Sequence, residues 1–264
     1  MTTLGKVTQT LTVFSIAALG LVGCASDAGT ADDGQTHQVD SLLATDARPD
    51  QRAAGGATAM AIELGFDQVQ PASQEDITSV RESAAERTDT ARQLNVEPAS
   101  CAAPIAELDW SPIQASSESV TRVDFTRENF AGAGSVEVAG ITEDTGGSAE
   151  AADEVAAHHQ AVEEITTNCG DITMMLADAA EPDWAEIEYT FTAQAVETES
   201  GSGLLWQRYP TDDPESQSTT ALTLMTEHEG HAIMVAFIGS QEIADAEFTD
   251  ISEAILASAV AQLD

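Results

Sequence analysis

The chain reads as an α+β protein in which one antiparallel sheet of about seven strands is packed by helices within a single domain. Three observations predict this class. Strand-like alternation dominates from Val120 onward, and turn residues rather than long crossovers separate the successive strands. Two segments of helical periodicity interrupt or close the series, giving the order β-β-α, then about five strands, then a terminal helix.

Taken in order, Ala57 to Val96 is Ala-rich with few breakers after Pro71. Ile77, Val80, Ala84, Ala91 and Leu94 fall near helical spacing behind a Ser73-x-x-Asp76 start of capping-box type, so a helix is expected. "VTRVDFTR" places Val123 and Phe125 on one face and Arg122 and Asp124 on the other. "SVEVAGIT" (Ser135 to Thr142) alternates again after Gly132-Ala133-Gly134, which predicts a hairpin turning at those glycines. Gly146-Gly147-Ser148 then offers a break and an N-cap, and Val155, Val162, Ile165 and Cys169 share a stripe, predicting a helix from Ser148 to Asn168. Ile172 to Leu176 is a short apolar strand. In "WAEIEYTFTAQAVE" the residues Ile187, Tyr189, Phe191 and Ala193 oppose Glu188, Thr190, Thr192 and Gln194, the pattern of a half-buried antiparallel strand. "LLWQRY", "TALTLMTEH" and "HAIMVAFI" continue the sheet, the last two joined at Glu229-Gly230. A final helix is expected from Asp250-x-x-Glu253, with Ile251, Ile255, Ala259 and Leu263 on its stripe.

The start of the chain has a different character. One basic residue, Lys6, precedes an uncharged run from Leu11 to Gly23 that is too short for a permanent membrane span and suits a secretory signal. The run ends Leu21-Val22-Gly23-Cys24, which resembles the lipobox of bacterial lipoproteins. That resemblance implies removal of residues 1–23 as a signal peptide and a diacylglycerol thioether on Cys24, with fatty acyl chains such as palmitate holding the protein on the extracytoplasmic face of the cell membrane. Residues 24–40 are polar and acidic, with nothing to bury, and are expected to form a flexible tether. Residues 41–264 are then an extracytoplasmic domain.

Two further cysteines, Cys101 and Cys169, form an even pair in an exported chain, and a disulfide between them is expected. Two separate buried thiols or a catalytic cysteine are the alternatives, although neither residue stands in a Cys-x-x-Cys pair or beside a basic group. The order of elements, the Leu42-Leu43-Ala44-Thr45-Asp46 opening and the Ala-rich helix from Ala149 to Cys169 resemble actinobacterial lipoproteins and the PknH-type extracellular sensor domain of membrane serine/threonine kinases. That resemblance implies an antiparallel sheet around a cleft that takes an extracellular ligand, without catalytic residues. The chain departs from the family in carrying one available cysteine pair and Thr166-Thr167-Asn168 where a tryptophan is usual.

Forty-six acidic residues face nine basic ones, for a formal net charge of −37, and Lys6 is the sole lysine. Such a charge repels polyanions, so nucleic acid is disfavoured as a partner. Phosphate loops, dinucleotide turns and nucleophile elbows are absent from the sequence, and no cofactor is implied. "EHEGHA" holds His228-Glu229-Gly230-His231, one residue short of a zincin spacing and set in a strand-turn-strand pattern. His158 and His159 are consecutive on a helix, point about 100° apart and suit one buried and one solvated ring. Trp184, Tyr189 and Trp206 are the candidate cleft-lining residues, with core packing the competing role. The expected activity is non-catalytic binding of an envelope ligand. The alternatives are a metal-dependent envelope hydrolase and a structural protein that binds a protein partner.

Overall fold

A computed structural model describes residues 41, 42, 44, 46–91, 95–176, 187–214 and 218–264. The lipobox-like segment with Cys24, the tether and Trp184 lie outside these residues. The architecture is α+β, with nine antiparallel strands among the described residues and not about seven. In chain order the elements are α1 (Pro49–Glu63), β1 (Gln68–Pro71), α2 (Gln74–Ala91), β2 (Asn95–Glu97), α3 (Ala102–Ala106), β3 (Val120–Thr126), β4 (Gly132–Gly140), α4 (Ala149–Asn168), β5 (Asp171–Leu176), β6 (Ile187–Glu197), β7 (Ser202–Pro210), β8 (Thr219–His228), β9 (His231–Gly239) and α5 (Ala246–Val260). The sheet runs β1-β3-β4-β9-β8-β7-β6-β5-β2, every neighbouring pair antiparallel.

The two additional strands are the edges. β1 and β2 are four and three residues long, each ending at or beside a proline, so neither shows the alternation that marks a longer strand. They divide the stretch expected to be one helical region into α1, β1, α2 and β2. Short, proline-flanked edges present few free backbone groups to another chain. The β3–β4 turn lies at 127–131, where Asn129 takes φ 65°, and Gly132-Ala133-Gly134 belongs to β4 itself. Gly134 is required there because a Cβ would strike the rings of Phe125 and Phe237. The terminal helix begins at Ala246, one turn earlier than its charge pattern suggests, and buries Phe248.

One face of the sheet packs on α1 and α5. Val123, Phe125, Val136, Val138, Leu222, Ile233 and Phe237 meet Ala53, Ala54, Ala57, Phe248, Ile255 and Leu256. The helices touch closely: Ser258 Oγ donates to the Gly56 carbonyl at 2.9 Å, and a Cβ on Gly56 would lie 2.9 Å from the Ser258 carbonyl. The other face carries α2, α4 and residues 99–115, over two clusters built around Ile113, Val155 and Met234 and around Ile165, Phe191 and Trp206. Ser148 caps α4 by accepting from the Ala151 amide at 3.1 Å. Ser73 and Asp76 cap α2 reciprocally, the Ser73 amide donating to Asp76 at 2.8 Å and the Asp76 amide to Ser73 Oγ at 3.2 Å. Cys101 and Cys169 are disulfide-bonded, with Cα atoms 5.7 Å apart, and tie the 99–115 segment to the end of α4.

Candidate functional site

The polar interior is spent on architecture. Asp50, in the first turn of α1, is fully buried and accepts from Ser119 Oγ at 2.8 Å, Thr121 Oγ1 at 2.7 Å and the Arg48 guanidinium at 2.9 and 3.0 Å. Burial opposes its charge, but the hydrogen bonds from Arg48, Thr121 and Ser119 outweigh burial and hold the carboxyl below the usual carboxylate range. On the opposite side of β3, buried Arg122 bridges Glu137 and Asp124, and Glu137 also accepts the Ile113 amide at 2.9 Å. Burial weakens the Arg122 charge, and the two carboxylates more than restore it. Arg81 donates to the carbonyls of Ile113, Ala115 and Ser117, stitching α2 to the segment before β3.

The histidines stand apart from one another in function. His158 is buried against Trp110, their ring centroids 5.0 Å apart, and its Nδ1–H donates to the Glu107 carbonyl at 3.3 Å. Desolvation lowers its pKa to about 4, so it is neutral. His159 faces Glu227 at 3.5 Å and is half-exposed. His228 and His231 oppose each other across the Glu229-Gly230 turn, as the strand pattern predicts. His228 meets Asp264 at 2.8 Å, whereas His231 donates to the Glu229 carbonyl at 2.9 Å. Among the described residues no three His, Cys, Asp or Glu side chains converge as a metal-binding group.

Of the aromatic candidates, Trp206 is buried at 6 % exposure and stacks on Phe191, ring centroids 5.8 Å apart, inside the core under α4. Tyr189 is half-buried on the same face, with the Arg208 guanidinium 5.5 Å from its ring centre. Phe191 separates the two in the register. A cleft of about 590 Å³ lies between Arg81, Ser116 to Glu118, Glu143 and Gly146 to Ser148. Its donors are already committed: Ser148 to the Ser116 carbonyl, Ser116 to Glu154, Ser117 to the Ser119 and Gly146 carbonyls, and Arg81 as above.

A different surface remains open. α1 and α5 cover the sheet from β1 to β7 and reach β6 only at its Val196 end, and among the described residues no helix packs on the same side of the rest of β6, β5 and β2. The register lays polar rungs across this wing: Asn95–Met175–Glu188, Glu97–Thr173–Thr190–Tyr209 and Asp171–Thr192–Gln207. Burial alternates accordingly. Ile172, Met174 and Phe191 are buried beneath, while Asp171, Glu188, Asn95 and Glu97 are exposed and Thr173, Thr190, Thr192, Gln207 and Tyr209 are half-buried. No arginine among the described residues of these four strands lies on this side, since Arg208 pairs with Phe191 on the other.

No family model, curated protein or solved structure matches this chain. The functional reading therefore rests on its own residues. Strand alternation carries the wing in the sequence, because Glu188, Thr190, Thr192 and Gln194 occupy the polar positions of β6. Its openness was not readable there, because an uncovered polar face and a covered one differ only in where helices dock.

Proposed function

We propose that this protein is a membrane-anchored extracytoplasmic lipoprotein whose globular domain binds a ligand and performs no catalysis. The observation that carries the reading is Leu21-Val22-Gly23-Cys24 at the end of an uncharged run, the sequence a lipidating transferase needs for a thiol-linked anchor. The Cys101–Cys169 disulfide supports an oxidising compartment. The interior supports a binding role over a catalytic one: Asp50, Arg122, Glu137 and His158 are buried and held by the fold, so none is free to shuttle a proton to a substrate. The open wing is the surface assigned to the ligand, in a domain of the PknH sensor type.

Two measurements on one strain test this. Cys24→Ala should move the protein from the membrane fraction to the soluble fraction, or leave an unprocessed precursor. Retention in the membrane with unchanged mobility and lipid label would refute the anchor. Fractions of the cell envelope should raise the thermal midpoint of the purified protein, since a ligand at 100 times its Kd adds about 2.7 kcal/mol. Absence of any shift would refute the binding role.

A further inference from the structure

We propose that the open wing docks an extended basic segment of another polypeptide, with Glu97, Asp171 and Glu188 receiving its lysine or arginine side chains. This deepens the binding role proposed above and rests on it.

Charge, spacing and area select this occupant. Each of the three polar rungs carries one carboxylate: Glu188 on the first, Glu97 on the second and Asp171 on the third. All three are exposed, and no arginine among the described residues of these strands stands on this side. Successive rungs on one face of a strand are about 7 Å apart, the same interval that separates alternate side chains of an extended peptide. A chain laid along the wing can therefore present a cation to each rung in turn. Thr173, Thr190 and Thr192 lie between the carboxylates, where their hydroxyls can donate to peptide carbonyls or accept from amides. β6, β5 and the three-residue β2, spaced by about 4.8 Å and about 20, 20 and 10 Å long across the rungs, give roughly 250 Å², about a third of one partner's share in a standard interface between folded proteins. The wing is thus sized for a segment rather than a folded domain. The surplus acidity of the whole chain, −37, would steer a cationic partner toward it and repel an anionic one.

The probe is a nine-residue peptide alternating arginine and threonine, with a glutamate–threonine peptide as control, titrated calorimetrically into the full-length protein in detergent at low and high salt. The basic peptide should bind at low salt, more weakly at high salt, and the acidic one not at all. The double variant Asp171→Asn with Glu188→Gln should weaken binding at least tenfold, and Thr192→Lys, which sets a cation at the centre of the wing, should abolish it. Glu163→Gln with Glu242→Gln removes the same charge from exposed positions elsewhere and should change affinity less than twofold. An unaltered thermal midpoint shows that each variant is folded. Equal weakening by both double variants would mean diffuse attraction to an acidic protein, and would overturn the site. So would failure of the basic peptide to bind, or binding of a neutral oligosaccharide that the wing variants alone disrupt. If envelope fractions still stabilise the wing double variant as strongly as the wild type, the wing is the wrong surface while the binding role itself stands.

Discussion

His158 shows how one buried side chain couples this fold to pH. Its ring is neutral in the folded protein because desolvation lowers its pKa from 6.5 to about 4, while the unfolded chain takes a proton near the ordinary value. The neutral ring's contribution is therefore intact above pH 6.5 and is lost progressively as pH falls from there toward 4. The total is on the order of 3 kcal/mol once both states have titrated. His231 shifts in the same direction, also mainly by burial, and adds to the slope. Denaturant unfolding of wild type and His158→Gln between pH 7.5 and 4.5 measures this. The variant should lose stability less steeply over that range, and parallel curves would show that His158 does not carry the dependence. Asp50 works in the same sense at lower pH, since its lowered pKa contributes stability that is intact above the ordinary carboxylate value of 3.8 and is lost as pH falls from there toward its folded value.

Among the elements, the segment from Ala99 to Gln114 is the one most dependent on tertiary attachments. It contains one five-residue helix and several single 3-10 turns, none long enough to be stable by its own hydrogen bonding. It is held by the Cys101–Cys169 bond at one end and by Arg81 and Glu137 at the other. Cys169→Ser should lower the unfolding free energy by about 2–5 kcal/mol. Native-state hydrogen exchange should localise the loss of protection to this segment and the last turn of α4. Uniform loss across the sheet would instead indicate that the bond stabilises the molecule as a whole.

For the molecule as a whole, charge is the dominant imbalance. The arginines described are turned to internal tasks: Arg48 on Asp50, Arg52 on the Ala47 carbonyl, Arg81 on three carbonyls, Arg122 on two carboxylates and Arg127 over the rings of Phe66, Phe130 and Phe248. Few cations remain to offset the surface carboxylates, so repulsion between them opposes compaction and is relieved by screening. The thermal midpoint should rise by several degrees between about 10 mM and 1 M sodium chloride, over which the Debye length falls from about 30 to 3 Å. A midpoint that falls or stays flat would show that the acidity is well dispersed and costs little.

Much of this architecture was legible in local pattern. α4 announced itself through Gly146-Gly147-Ser148 and its apolar stripe, and β6 through strict alternation, because a helix start and a half-buried strand each impose a periodicity on the residues that form them. The paired cysteines likewise pointed to a bond that the fold brings together. β1 and β2 were hidden because three or four residues beside a proline cannot show a period, and their pairing with β3 and β5 is made by the tertiary fold. Gly132 to Gly134 read as a turn although packing against two phenylalanine rings, a contact distant in sequence for Phe237, makes glycine necessary inside a strand. Trp206 offered no local clue to whether it would be covered, and α4 and the disulfide-tied segment decided that it is core. The polar side of β6 was visible in the sequence as polar. That it lies beside helix-covered β7 yet carries no described helix over most of its own length depends on where α1 and α5 dock, and docking is chosen by complementary shape across the whole sheet rather than by any neighbouring residues.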